Sequence, residues 1–203
     1  MSNALLTESS LPQFSHITPE CVAPTIEQLL AQNRETIAAL AHQPTPTWQS
    51  LPAQLEELDD SLSKAWSIVS HLNAVTNSPA WREAYNRCLA KISAYYTELG
   101  QNSDLYNSYQ TLADSNEFAE LNQAQRQAIN NALRDFKLSG VALPTEQKQR
   151  FAAIEERLSA ICAKFADNLL DATQAWHKEL SSEELAGIPE ANQGLLAQLA
   201  QQR

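Results

Sequence analysis

The chain is expected to be all-α, an elongated array of long antiparallel helices. Three features of its 203 residues predict this. Apolar side chains recur at steps of three and four along every strong segment. No stretch alternates convincingly in the manner of a strand, and recognisable helix starts and stops separate the segments. A hydrophobic fraction of 43% with 19% charged residues fits a folded globular chain.

Residues 1–18 read as an extended N-terminal arm, 19–180 as a helical domain, and 181–203 as a turn and weak helix. Thr18-Pro19-Glu20 is a helix start: a hydroxyl at the N-cap, a proline in the first turn and an acid at the positive dipole end. Val22, Ile26, Leu29, Asn33, Ile37 and Leu40 mark one face, with Pro24 placed where it could kink the helix. Pro44 and Pro46 end it, because neither can donate a backbone N–H. Thr47 is expected to cap a longer helix with the stripe Leu51, Leu55, Leu58, Leu62, Ala65 or Trp66, Val69 and Leu72. Asn77-Ser78-Pro79 stops that helix and starts the next, along Trp81, Tyr85, Leu89, Ile92, Tyr96 and Leu99.

A shorter helix follows at 104–113 with Leu105, Tyr109 and Leu112, then a turn and a weak helical turn through Phe118 and Leu121. Two long helices come next, at 123–139 and 145–178, with Gly140 suited to the left-handed residue that ends the first and Thr145 capping the second. Phe151, Ile154, Leu158, Ile161 and Phe165 form a near-heptad seam, which then moves one residue on to Leu169, Ala172 and Trp176. The helix ending at Gly140 is expected to bury the first stretch, Leu158 included, and to reach the second poorly. A final weak helix is expected at 189–201.

Several function classes are disfavoured. A net charge of −10 repels a phosphate backbone, so nucleic acid is not an expected partner. None of the four glycines lies in a phosphate-cradling loop. Cys21, Cys88 and Cys162 are odd in number and form no CxxC pair, so they read as three small buried thiols in a reducing compartment. No basic-then-apolar leader is visible, and no run approaches the roughly eighteen apolar residues of a membrane span, so a cytoplasmic protein is expected.

Candidate chemistry is sparse. Ser61-x-x-Lys64 matches a serine-hydrolase pattern but lacks its companion motifs and sits on the polar side of its helix. The acidic pairs Glu56-Glu57, Asp59-Asp60, Glu155-Glu156 and Glu183-Glu184 point about 100° apart within each pair and read as solvated surface. Arg126, Arg134, Arg150 and Arg157 could meet a peptide carboxylate, and ion pairs with Glu155, Glu156 or Asp135 are the more ordinary role. His16, His42, His71 and His177 stand far apart, so neither His-Glu-x-x-His nor Glu-x-x-His occurs.

A resemblance adds to this reading. Leu11-Pro-Gln-Phe-Ser-His-Ile-Thr-Pro-Glu20, Ser70-His-Leu-Asn-Ala-Val-Thr-Asn-Ser-Pro79, Asn131-Ala-Leu-Arg-Asp-Phe136 with Ser139-Gly140, Asn168-Leu-Leu-Asp-Ala-Thr-Gln-Ala-Trp176 and Glu184-Leu-Ala-Gly-Ile-Pro-Glu190 occur in order. Together they resemble the N-terminal part of the thimet oligopeptidase and neurolysin group of zinc metallopeptidases. The resemblance implies an enzyme that hydrolyses short peptides in a deep channel, with zinc held on a downstream His-Glu-x-x-His helix. This chain would supply channel wall and scaffold, with residues 181–203 leading into a missing catalytic half. No catalytic or metal residue and no cofactor is expected here; the expected partners are that downstream half and, in the complete enzyme, short peptides. Trp176 and His177 are the candidate contacts with a neighbouring subdomain or a peptide channel. The rival expectation is a stand-alone helical interaction domain without catalysis.

Overall fold

Among the described residues, eight α-helices follow a single 3-10 turn at Phe14–His16: α1 (Pro19–Leu40), α2 (Pro52–Thr76), α3 (Pro79–Gly100), α4 (Ser103–Ala113), α5 (Asn116–Glu120), α6 (Gln123–Leu138), α7 (Thr145–Ala175) and α8 (Glu190–Gln201). The structure, a computed structural model, describes residues 4–6, 11–181 and 183–201, and no strand occurs among them. No helix among the described residues is long and apolar enough to cross a membrane. Two compact units are present, Met1–Ile161 and Cys162–Arg203. Of the turn expected at Ser181–Glu184, Ser182 lies outside the described residues.

In the first unit α1 packs against α2 and α3, α2 packs against α3, and α4 packs against α6. The whole expected stripe of α1 is buried, Asn33 with it. Pro24 lies inside α1 without interrupting it. Asn33 donates long hydrogen bonds of 3.4 Å to the Leu58 carbonyl of α2 and to the Tyr95 hydroxyl of α3, so the one polar group in the stripe ties three helices together. Ion pairs of Arg34 with Glu98 (2.9 Å) and of Glu27 with Lys91 join the rims of α1 and α3. Lys91 beside Glu27 holds its carboxyl below the usual range.

Helix ends follow their sequence signals with three exceptions, one of them Thr145, which is the first residue of α7 and not its cap. Ser78 and Asn102 accept from the backbone N–H of Trp81 and Leu105, and Asn122 and Gln125 form a reciprocal capping box. Asn77 takes the left-handed conformation at the end of α2, with φ 37°. Gly140 does the same after α6, at φ 82°. There the Gly140 N–H bonds the Lys137 carbonyl and the Val141 N–H reaches the Phe136 carbonyl, completing a Schellman motif whose Phe136 and Val141 are both buried. Another exception is Thr18, which stands at the N-cap without a side-chain bond to the backbone; its hydroxyl serves Glu20 instead. The third is Thr47, where α2 was expected to begin. Thr47 and Ser50 cap each other's backbone N–H at 3.0 Å around a separate turn, and α2 starts at Pro52, because a residue preceding proline is kept out of the helical region.

Burial also departs from expectation. On α3 the buried side chains are Trp81, Cys88, Ile92 and Tyr95, so the face is turned from the expected Tyr85, Leu89 and Tyr96. Trp66 is half-buried and stacks on Tyr85 at 4.8 Å, while Ala65 holds the core position. Of the thiols only Cys88 is buried; Cys21 is intermediate and Cys162 exposed on α7. The largest correction concerns the seam of α7, which has no buried residue. Ile154, Leu158 and Ile161 are 54%, 51% and 54% exposed. The buried side chains of α6 are Ile129 and Phe136, and the helix packed on α6 is α4, not α7. Phe136 lies against Tyr106 and Tyr109 at ring separations of 5.9 and 5.6 Å.

This inverts the expected mutational pattern. Leu112→Ala removes a fully buried side chain and is expected to cost about 2–5 kcal/mol in urea denaturation. Leu158→Ala is expected to change stability by less than about 0.5 kcal/mol, the range of ordinary surface positions.

Candidate functional site

The first unit contains one large concave site whose walls come from four helices. It encloses about 700 Å³ and is built by α2, α3, α4 and α6 with the Ser139 cap. A volume of this size lies within the range of small-molecule and side-chain pockets, about 300–1,000 Å³. About two turns of α2 supply Glu56, Asp59, Asp60 and Ser63, whose spacing puts them on one side of the helix. Tyr95 and Tyr96 come from α3, Tyr109 from α4, and Asn131, Asp135 and Phe136 from α6.

The polar groups differ in how far they are already satisfied. Asp60 pairs with Lys64 and Asp135 with Arg134, both cations lying outside the lining. Asp59 accepts the Tyr96 hydroxyl at 2.8 Å. Burial, then the hydrogen bond to Asp59, raises the Tyr96 phenol, which therefore stays neutral and donating. Tyr109 is 7% exposed, and burial followed by the negative charge of Glu56 raises its phenol too. The aromatic wall is completed by Phe136 against Tyr109.

Two close approaches hold the rear of this site. Lys148, near the start of α7, donates to the Gln101 carbonyl at 3.1 Å and to the Ser103 hydroxyl at 3.2 Å. Gly100, the last residue of α3, meets the α6 cap so closely that a Cβ there would stand 2.7 Å from the Ser139 Cβ.

The residues singled out in the sequence lie elsewhere. Trp176 follows α7, is 74% exposed, and donates its backbone N–H to the Ala172 carbonyl. His177 is exposed, with Nδ1 3.3 Å from the Ala175 carbonyl oxygen. Neither is among the residues lining the cavity. Lys64 of the Ser-x-x-Lys string is engaged by Asp60, and Ser61 donates to the Glu57 carbonyl. Arg134 pairs with Asp135 and Arg126 donates to the Ala119 carbonyl.

A catalytic zinc needs about three converging imidazole, thiolate or carboxylate ligands. Among the described residues no three such side chains are placed to hold one metal ion. His16 instead lies 3.1 Å from the Gln13 amide oxygen, and the His71 ring rests against Phe14.

Residues 26–148 match the family described as Neurolysin/Thimet oligopeptidase, N-terminal domain. The chain belongs to this family. It is 48% identical over 192 residues to oligopeptidase A of Haemophilus influenzae and 47% identical over 193 residues to that of Escherichia coli. Either match covers 94% of this chain and 28% of the relative. Similarity extends to the organellar oligopeptidase A of Arabidopsis thaliana, 30% identical over 98% of this chain and 25% of the relative. The chain thus spans little more than a quarter of the length of these relatives.

The acidic, tyrosine-lined cavity went unnoticed in the sequence, although Glu56, Asp59 and Asp60 fall on one helix side and could have flagged it. Its integrity is expected to depend on Gly100. Alanine usually stabilises a helix relative to glycine. Here Gly100→Ala is expected to destabilise by about 1–3 kcal/mol, as overpacking does. Thermal melts of G100A with and without Ser139→Gly check this, since the second change removes the obstructing Cβ and should recover most of the loss.

Proposed function

We propose that this chain is the helical wall and scaffold of a zinc-dependent oligopeptidase, the catalytic half lying in residues outside this sequence. The observation that carries the proposal is the pair of coverages: 94% of this chain matches oligopeptidase A, and the match occupies 28% of that enzyme. The four histidines supply no His-Glu-x-x-His, so bond cleavage has no machinery here. When bound in the complete enzyme, zinc would activate the water that attacks the peptide. The present residues would bound the channel, and a cytoplasmic location accompanies this reading. The purified chain is expected to hold no stoichiometric zinc and to leave short peptides uncut. Metal analysis with a peptide-cleavage assay checks both; one tightly held zinc per chain, with cleavage lost on chelation, would overturn the proposal.

The exposed stripe of α7 gives this reading a second handle. Phe165, Leu169 and Trp176 are 67%, 58% and 74% exposed, a run of apolar surface of the kind that drives association. We assign it to contact with the catalytic half. The chain alone is expected to bind a hydrophobic dye or self-associate weakly, less so once the downstream half of the enzyme is added. Trp176 fluorescence, isolated by replacing the other tryptophans with Phe, should then move to shorter wavelength. A monomer that binds no dye and ignores the downstream half would instead be a stand-alone helical interaction domain, the reading the exposed stripe also allows.

A further inference from the structure

We propose that the part of α7 in the first unit is covered, in the complete protein, by an amphipathic helix of the downstream half whose facing edge carries carboxylates. This rests on the scaffold reading above and adds the chemistry of the partner surface. Ile154, Leu158 and Ile161 share one side of α7 and are each more than half exposed. Their steps of four and three residues give the narrow apolar seam that a second helix fills.

One edge of that seam is positively charged. Arg150 and Arg157 are a heptad apart, so they fall on the same edge, one turn before and one turn after Ile154. Both are exposed. Neither forms an ion pair or a hydrogen bond among the described residues, so the pairs expected of them with Glu155 and Glu156 are not made. Glu156 lies at the back of the helix, and the one acid on the arginine edge of this stretch is Glu146, a turn before Arg150. Glu155 is on the other flank of the seam with Ala152 and Ser159, all three half-buried. Lys148, tied to Gln101 and Ser103, falls on that flank too. The arginines therefore mark the free flank.

A carboxylate can meet each guanidinium with two parallel hydrogen bonds, so the matching partner edge is acidic. A second copy of this chain matches poorly. Antiparallel pairing of two such seams sets arginine edge against arginine edge. Parallel pairing brings Arg150 to the half-buried Glu155 of the other copy and leaves Arg157 without an acid. An anionic membrane surface is opposed by the net charge of −10. The downstream half is the occupant with chain to spare: the match takes up 28% of the oligopeptidase A relative, and most of that enzyme's length lies beyond it.

To test this, the tagged chain is coexpressed with the downstream half of the enzyme and copurification is measured. The wild-type chain is expected to retain the downstream half at about 50 mM salt and to lose much of it at about 500 mM, as ion pairs are screened. Arg150→Glu with Arg157→Glu should lower recovery roughly tenfold by setting like charges together. Arg150→Lys with Arg157→Lys should keep most of it, and Ile154→Ser with Leu158→Ser should remove it. Arg87→Glu with Lys137→Glu, away from α7, should leave recovery unchanged, and circular dichroism of each variant should match the wild-type chain. In the complete enzyme the arginine reversal should speed amide exchange across residues 150–161, and the lysine pair should not. No copurification of the wild-type chain, or equal recovery after the reversal, would overturn the inference. So would self-association of the chain alone that disappears on the reversal, which would make the occupant a second copy. The zinc and cleavage assay reads the scaffold proposal separately. A zinc-free, inactive chain whose recovery ignores the reversal would sink this inference alone.

Discussion

The Asn33 amide is the contact around which the first helices are arranged. It lies 2% exposed in an otherwise apolar face of α1 and donates to both neighbours of that helix. A buried carboxamide left without partners costs about 1–3 kcal/mol, so sliding α1 by one residue would lose burial and leave polar atoms stranded together. Apolar packing draws the three helices together, and the amide selects one register. Tyr95, which receives Asn33 on one side, is also a wall of the acidic cavity on the other. The geometry of the cavity is thereby tied to the register of a helix that does not line it.

Most of this framework was readable because local signals and global packing agree. The α1 stripe, the Asn77-Ser78-Pro79 junction and the left-handed Gly140 each follow from backbone and capping rules that leave few alternatives. The α3 register was not, since Cys88 and Tyr95 compete with Leu89 and Tyr96 for the core and periodicity alone does not choose between adjacent faces. The α7 seam was misjudged for a different reason. A hydrophobic stripe states which side of a helix is apolar; it does not state that a partner is present in the same unit.

The cavity was illegible for the opposite reason. Glu56, Asp59 and Asp60 have the composition of a solvated face, and each is indeed exposed. What brings other groups to them is the approach of Tyr96 and Tyr109 from distant parts of the chain, Tyr96 meeting Asp59 directly. Trp176 and His177, chosen for their place in a family-like string, lie on exposed chain after α7.

The solvation of α7 has a thermodynamic consequence. Beyond the Lys148 contacts near its start, a helix of 31 residues with no buried side chain owes much of its order to local propensity and to its own hydrogen-bond ladder. Such a helix frays residue by residue, whereas the packed core unfolds as one cooperative body. Heating this chain should therefore produce a sloping loss of ellipticity before the main transition. A van't Hoff enthalpy fitted to the whole far-ultraviolet signal would fall below the calorimetric one. That mismatch reflects two kinds of order within a single polypeptide, only one of which melts at a defined temperature.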